Sequence, residues 1–141
     1  MDKYNSEGYP DPTAAEALEN VAKEECVKAW RPCVFICSPY AGDIQNNTIK
    51  ALRYLKFAAD HGTIPFAPHL LYPQILDESN AAQRELGLFF GMVWLCKCDE
   101  LWVFGDTVSA GMAQEIAKAQ RRRMPIRYFT ANCEEGGSHE S

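Results

Sequence analysis

The chain lacks an excess of positive charge. Fourteen lysines and arginines face nineteen aspartates and glutamates, a net charge of −5. That balance excludes a general nucleic-acid binder, which needs a basic face. The one basic run, Arg121-Arg122-Arg123, falls at the end of a predicted helix, where cations complement the helix dipole and cap carbonyls. Long apolar runs are missing too. The longest, Leu86 to Cys96, falls short of the roughly 20 residues of a membrane-crossing helix. No metal motif is present either, since Cys96-Lys97-Cys98 has the wrong spacing for a zinc pair and no second pair accompanies it. The opening Met1-Asp2-Lys3-Tyr4-Asn5 is polar with no apolar run behind it, so a secretory leader is not expected and a reducing cytoplasm is. The six cysteines lie mostly in apolar segments and read as small buried hydrophobes rather than a disulfide framework.

What is present is an ordinary globular middle. The length of 141 residues suits one domain that can bury a core without staples. Residues 1–12 read as a flexible arm, 13–129 as the domain and 130–141 as a disordered polar tail. Thr13 to Lys28 carries a capping box, Thr13 with Glu16, and one apolar face of Ala14, Leu18, Val21 and Ala22. Cys33 to Ser38 is a continuous apolar run, as expected of a strand buried on both faces. Asp43 to His61 reads as a helix with Ile44, Ala51, Leu52, Leu55, Ala58 and Ala59 inward, capped at Gly62. Thr63 to Ala67 is a short strand whose Pro65 puts it near a sheet edge. A longer loop runs from Pro68 through Pro73. Asp77 to Cys98 is a helix, apolar on most sides after Leu86 and so expected to be sandwiched. Asp99 to Phe104 is a strand, Ser109 to Arg122 a helix and Pro125 to Phe129 a last strand.

Strands alternating with helices imply an α/β fold: a three-layer, Rossmann-like or flavodoxin-like domain with a parallel sheet of four to five strands. Ligands of such sheets bind beyond the carboxyl ends of the strands. Those ends are Ser38 to Asp43, Pro68-His69 and Gly105 to Ser109, where polar residues and glycines concentrate. Candidate contacts for a ligand there are Ser38, Tyr40, Gly42 and Asp43, then His69, then Asp106, Ser109, Gly111 and Met112. Asn46 and Asn47 are further candidates. Tyr40 can stack on a base or bond a sugar, or simply pack. Asp43 can cap its helix. His69 can contact a ligand, shuttle a proton or hold its own loop. Ser109 is the expected N-cap and an anion contact, and a glycine at 111 allows close approach to the backbone. Met112 is expected as a packing lid rather than a chemical group. Glu115 is the sharpest case. A helical glutamate is ordinarily solvated, but here Gly111, Ala113, Ile116, Ala117 and Ala119 surround it with small or apolar groups. In a partly buried pocket such a carboxylate can attack an anomeric carbon.

The stretch Ser109-x-Gly111-x-x-x-Glu115, followed by a strand, resembles the nucleoside 2-deoxyribosyltransferase family and its relatives that hydrolyse deoxynucleoside 5′-monophosphates. The likeness covers roughly Cys33 to Phe129. It extends to uncharacterised bacterial and phage members with Ser-Pro-Tyr, Pro-His and Ser-x-Gly-Met-x-x-Glu signatures. The resemblance implies a nucleophilic glutamate at Glu115 and a sugar and base site along Cys37 to Gly42. It implies a nucleoside or nucleotide as the small-molecule partner, no cofactor, and assembly from identical subunits, with the apolar helix before Cys98 as a natural interface. Two departures stand out. The transferases carry an aspartate where Ser109 stands, whereas the monophosphate hydrolases have serine and use it near phosphate. The family also has an aspartate in the preceding helix at a position corresponding to Gly91. Two readings therefore stand side by side: an enzyme cleaving or transferring an N-glycosidic bond, and a non-catalytic nucleotide-binding sensor or sequestering protein.

Overall fold

The computed structural model describes residues 30–136. The arm at 1–12, the helix expected over Thr13 to Lys28 and residues 137–141 lie outside them.

Four strands form one parallel sheet: β1 (Cys33–Cys37), β2 (Ile64–Phe66), β3 (Glu100–Phe104) and β4 (Ile126–Phe129), in the order β2-β1-β3-β4. β1 and β3 are central, and in each strand the last four residues are fully enclosed. This is why both read as unbroken apolar runs. β2 is an edge strand, where Pro65 is tolerated opposite Val34 because only one side needs a ladder.

Alternation along the strands sends side chains to two faces. On one face Val34, Ile36, Trp102, Phe104 and Phe129 pack against Tyr54 and Ala58 of α1 (Ile44–Asp60). On the other, Phe35, Cys37, Leu101 and Val103 pack against Leu95 of α3 (Ala81–Lys97) and Met112 and Ala119 of α4 (Ala110–Arg121). The result is a three-layer α/β domain.

Local chemistry fixes the helix ends. Asp43 caps α1 by accepting the Asn46 amide, 3.2 Å. At the other end Gly62 takes φ +82, and the amides of Gly62 and Thr63 bond back to Ala59 and Ala58 in a Schellman arrangement. Asn80 caps α3 by accepting the Gln83 amide, so this helix starts later than the expected Asp77. Asp77 instead accepts from Ser79 in a turn of its own.

Four expectations are corrected. First, Ile44 and Leu52 are exposed rather than inward. Tyr54 stacks on Phe104 at 4.4 Å and takes the core position, which turns the Ala51–Tyr54–Ala58 face toward the sheet. Second, the segment after Pro68 is not a plain loop. It forms a short helix α2 (Pro68–Leu71) and a 3-10 turn (Tyr72–Gln74), with a proline at the start of each. Third, among the described residues α3 is covered on one side only: Leu86, Leu88, Phe89, Val93 and Trp94 are exposed, and Leu95 is buried. Fourth, residues 130–136 are folded. Thr130 and Cys133 close a turn, Phe129 bridges Glu135, and Arg127 holds Glu135 through two 2.8 Å bonds while lying 4.6 Å from the centre of the Trp102 ring. The backbone bonds of the turn and the bridge hold this short segment against β4, and the exposed bidentate pair adds to them.

Candidate functional site

The carboxyl ends of β1, β2 and β3 bring three separate segments to one rim. After β1, Ser38 is buried and Tyr40 half-buried. Gly42 follows at φ +95, a conformation that disfavours a side chain. The loop is braced from α1, because the Asn47 amide donates to the carbonyls of Tyr40 (3.1 Å) and Ala41 (3.2 Å). Asn47 is thus a scaffold for the loop. Asp43 is occupied as a helix cap and Asn46 supplies the amide it accepts.

After β2, His69 on α2 reaches back to β1. Its Nε2 lies 3.1 Å from Ser38 Oγ, and its ring meets Tyr40 edge-on at 6.0 Å. Burial lowers His69 from its ordinary 6.5 to about 4, so the imidazole is neutral at physiological pH. Ser38, Tyr40 and His69, distant in sequence, form one cluster.

After β3, Gly105 turns at φ +107 against Pro39, and Asp106 and Ser109 follow on the surface. Ser109 is the N-cap of α4, accepting the Met112 amide at 3.2 Å. Gly111 faces open space, with nothing within 4 Å of where a Cβ would stand. Met112 is not a lid on the rim. It is 2% exposed within the core, because one helical turn from Ser109 carries its side chain under the sheet beside Cys37.

Glu115 is half-buried and turned toward β1. Burial is the main cause that lifts its carboxyl from 4.5 to about 7, with a hydrogen bond from the Cys37 thiol partly opposing. Cys37 itself is pushed well up, by burial first and then by the Glu115 carboxylate. The Cys37 sulfur also lies 3.9 Å from the Met112 carbonyl. The Cys37 side chain as the neighbour of this carboxylate was not foreseen. The alternation of β1 carries the signal: Phe35 and Cys37 share the face on which α4 packs.

Beside this rim a cavity of about 360 Å³ opens between the start of α1 and the β3–α4 turn. It is lined by Pro39, Asn47, Lys50, Tyr54, Gly105, Asp106, Thr107 and Ala131. Burial raises the Tyr54 phenol, Arg53 beside it opposes, and Asp106 adds to the rise. Lys50, Tyr54, Thr107 and Ala131 were not read from the sequence as site residues. The spacing Asn47-x-x-Lys50-x-x-x-Tyr54 is the pattern that puts them on one side of α1. Glu115 does not line this cavity. A second hollow, about 330 Å³, lies between α3 and α4 among Met92, Gln114, Ala117, Lys118 and Arg121. Among the described residues no cluster of histidine, cysteine or acidic side chains is placed to hold a metal. Nor is any helix among them long and apolar enough to cross a membrane.

Residues 32–129 match a family described as a domain of unknown function, DUF7768. The chain belongs to that family. No curated protein matches its sequence. The DUF7768 domain is similar in structure to the 2-deoxyribosyltransferase of the psychrotolerant bacterium Bacillus psychrosaccharolyticus. The TM-score is 0.58 at 17% identity, over 77% of each chain. That enzyme is described as a biocatalyst for the synthesis of antiviral and antitumoral nucleosides. At this identity the likeness establishes a shared fold for the DUF7768 domain.

Proposed function

We propose that this protein binds a nucleoside or nucleotide and cleaves or transfers its N-glycosidic bond, with Glu115 as nucleophile. The observation that carries the reading is the carboxyl of Glu115. It is withdrawn from water against the end of the central strand, with its pKa raised to about 7 and a thiol donor beside it. A solvent-exposed glutamate titrates near 4.5 and is fully ionised at neutral pH. Groups with shifted pKa values concentrate at functional sites.

In this reading the Glu115 carboxylate attacks C1′ of the sugar. The bond from C1′ to the base nitrogen breaks, its electron pair leaves with the base, and the base nitrogen takes a proton. Water, or the nitrogen of a second base, then displaces the glycosyl ester and frees the carboxylate. Ser38, Tyr40 and the turn at Gly42 hold the sugar and base, with His69 fixing Ser38. Ser109 and the amides near Gly111 face the 5′ end. The exposed apolar side of α3 is where identical subunits would meet.

Incubation with a panel of deoxynucleosides and their 5′-monophosphates, with free base followed by chromatography, tests the proposal. Glu115→Gln should abolish base release while leaving the circular dichroism spectrum unchanged. Base release by the variant at the wild-type rate would remove Glu115 from the mechanism.

One observation favours a second reading. Gly91, where the resemblance sets an aspartate, has empty space around it and no polar group of its own. A nucleotide-binding module without turnover is consistent with that gap. Calorimetric binding of a nucleotide with no base released would favour it.

A further inference from the structure

We propose that the hollow between α3 and α4 is a binding site for a small dicarboxylate, with Lys118 and Arg121 as its cations. It shares no residue with the rim, and the proposal does not rest on the glycosidic reading. α3 and α4 lie side by side on one face of the sheet, where Leu95 of the first and Met112 and Ala119 of the second are buried. The hollow is the groove left between them. Gln114, Ala117, Lys118 and Arg121 line it from α4, and Met92 lines it from α3. Spacings of three and four residues set the α4 group in one stripe. Ala117 offers only a methyl group there, which leaves the space between the helices open. Glu115 is turned toward Cys37 of β1 and does not line the hollow. The volume of about 330 Å³ lies in the range of small-ligand pockets, roughly 300–1,000 Å³.

The lining holds two cations and no acid. Lys118 is half-buried, and neither it nor Arg121 enters the ion pairs of the described residues, which join Lys56 to Asp60 and Arg127 to Glu135. The capping task expected of the basic run falls to Arg122, whose guanidinium donates to the Cys96 carbonyl in the last turn of α3 at 3.3 Å. Lys118 and Arg121 face the hollow instead. In a chain of net charge −5, two cations turned to one hollow make a local field that attracts an anion. Residues three apart on a helix have Cβ atoms about 5–6 Å apart, so a ligand that meets both carries two anionic groups at a similar separation. The guanidinium fork matches a planar carboxylate with two parallel bonds, and the ammonium acts as a point charge. Met92 and Ala117 form an apolar floor that suits a hydrocarbon spacer, and the Gln114 amide is the one neutral hydrogen-bonding side chain. No helix start, glycine or hydroxyl lines the hollow, and those are the devices that usually cradle phosphate. The lining therefore favours carboxylates over phosphates. A saturated five-carbon diacid, glutarate, joins these features in one small molecule.

The test is titration of the ¹⁵N-labelled protein with three probes at equal ionic strength: glutarate, butyrate and pyrophosphate. Glutarate should shift the amides of Met92, Ala117, Lys118 and Arg121. It should bind at least fivefold more tightly than butyrate, which has one carboxylate, and than pyrophosphate, which has the charge without the hydrocarbon. Lys118→Gln and Arg121→Gln should each weaken glutarate fivefold or more with the circular dichroism spectrum unchanged. Glu115→Gln should bind glutarate as the wild type does, so the outcome here is independent of whether base is released. The proposal is overturned if the shifts are absent or fall at Ser38, Tyr40 and His69, if butyrate or pyrophosphate binds as tightly as glutarate, or if the Lys118 and Arg121 variants bind as the wild type does.

Discussion

Replacing Glu115 by glutamine should change how the stability of this protein depends on pH, whether or not the protein is an enzyme. In the folded state burial raises the carboxyl from 4.5 to about 7. The folded protein therefore holds a proton there that the unfolded chain has released. The sign follows: stability from this group is fully present below pH 4.5 and is lost as pH rises to about 7. The loss has an upper limit of about 3.5 kcal/mol, at about 1.4 kcal/mol for each pH unit. His69 acts in the opposite direction across nearly the same window. Burial lowers it from 6.5 to about 4, so its contribution is fully present above pH 6.5 and is lost as pH falls to 4. The two nearly offset, and the wild type should show little pH dependence between 4.5 and 6.5 from this pair. Glu115→Gln removes one arm of the balance and should leave a rise of about 2–3 kcal/mol from pH 4 to 7. The measurement is urea unfolding at half-unit steps from pH 4 to 8, taken as the difference between variant and wild type. A difference that stays constant across this range would refute the account of Glu115 as a buried carboxyl.

The complementary variant, His69→Gln, should uncover the Glu115 arm, with stability falling by about 2–3 kcal/mol from pH 4.5 to 7. The same denaturation series checks it, and a curve parallel to the wild type would count against a buried neutral imidazole. Phe104→Ala should lower stability by about 3–5 kcal/mol, because the ring is stacked between Tyr54 at 4.4 Å and Phe129 at 4.8 Å with no exposure of its own. Thermal unfolding would show this as a large drop in Tm, and a shift of only one or two degrees would contradict the packing.

The strands were legible in the sequence because Cys33 to Cys37 and Glu100 to Phe104 bury nearly every residue, leaving runs that few other structures explain. The edge position of β2 was legible from Pro65, and the cap of α4 from Ser109, since each depends on chemistry within a few residues. The faces of the helices were less so. Tyr54 rather than Leu52 turns inward, because the partner that decides it, Phe104, lies fifty positions away. Met112 looked like a rim residue and belongs to the core, a matter of rotation about α4.

The residue types at the strand ends, and the likeness to a glycosyl-transferring family, belong to the order of amino acids alone. The pairing of Ser38 with His69, the thiol beside Glu115 and the crevice under Lys50 do not. Each joins segments far apart in the chain, and their neighbours exist only once parallel strands have brought the loops to one edge. The environment that withdraws water from a carboxyl is a property of that assembled edge, and it decides whether the carboxyl titrates like an ordinary surface charge or holds its proton to about pH 7.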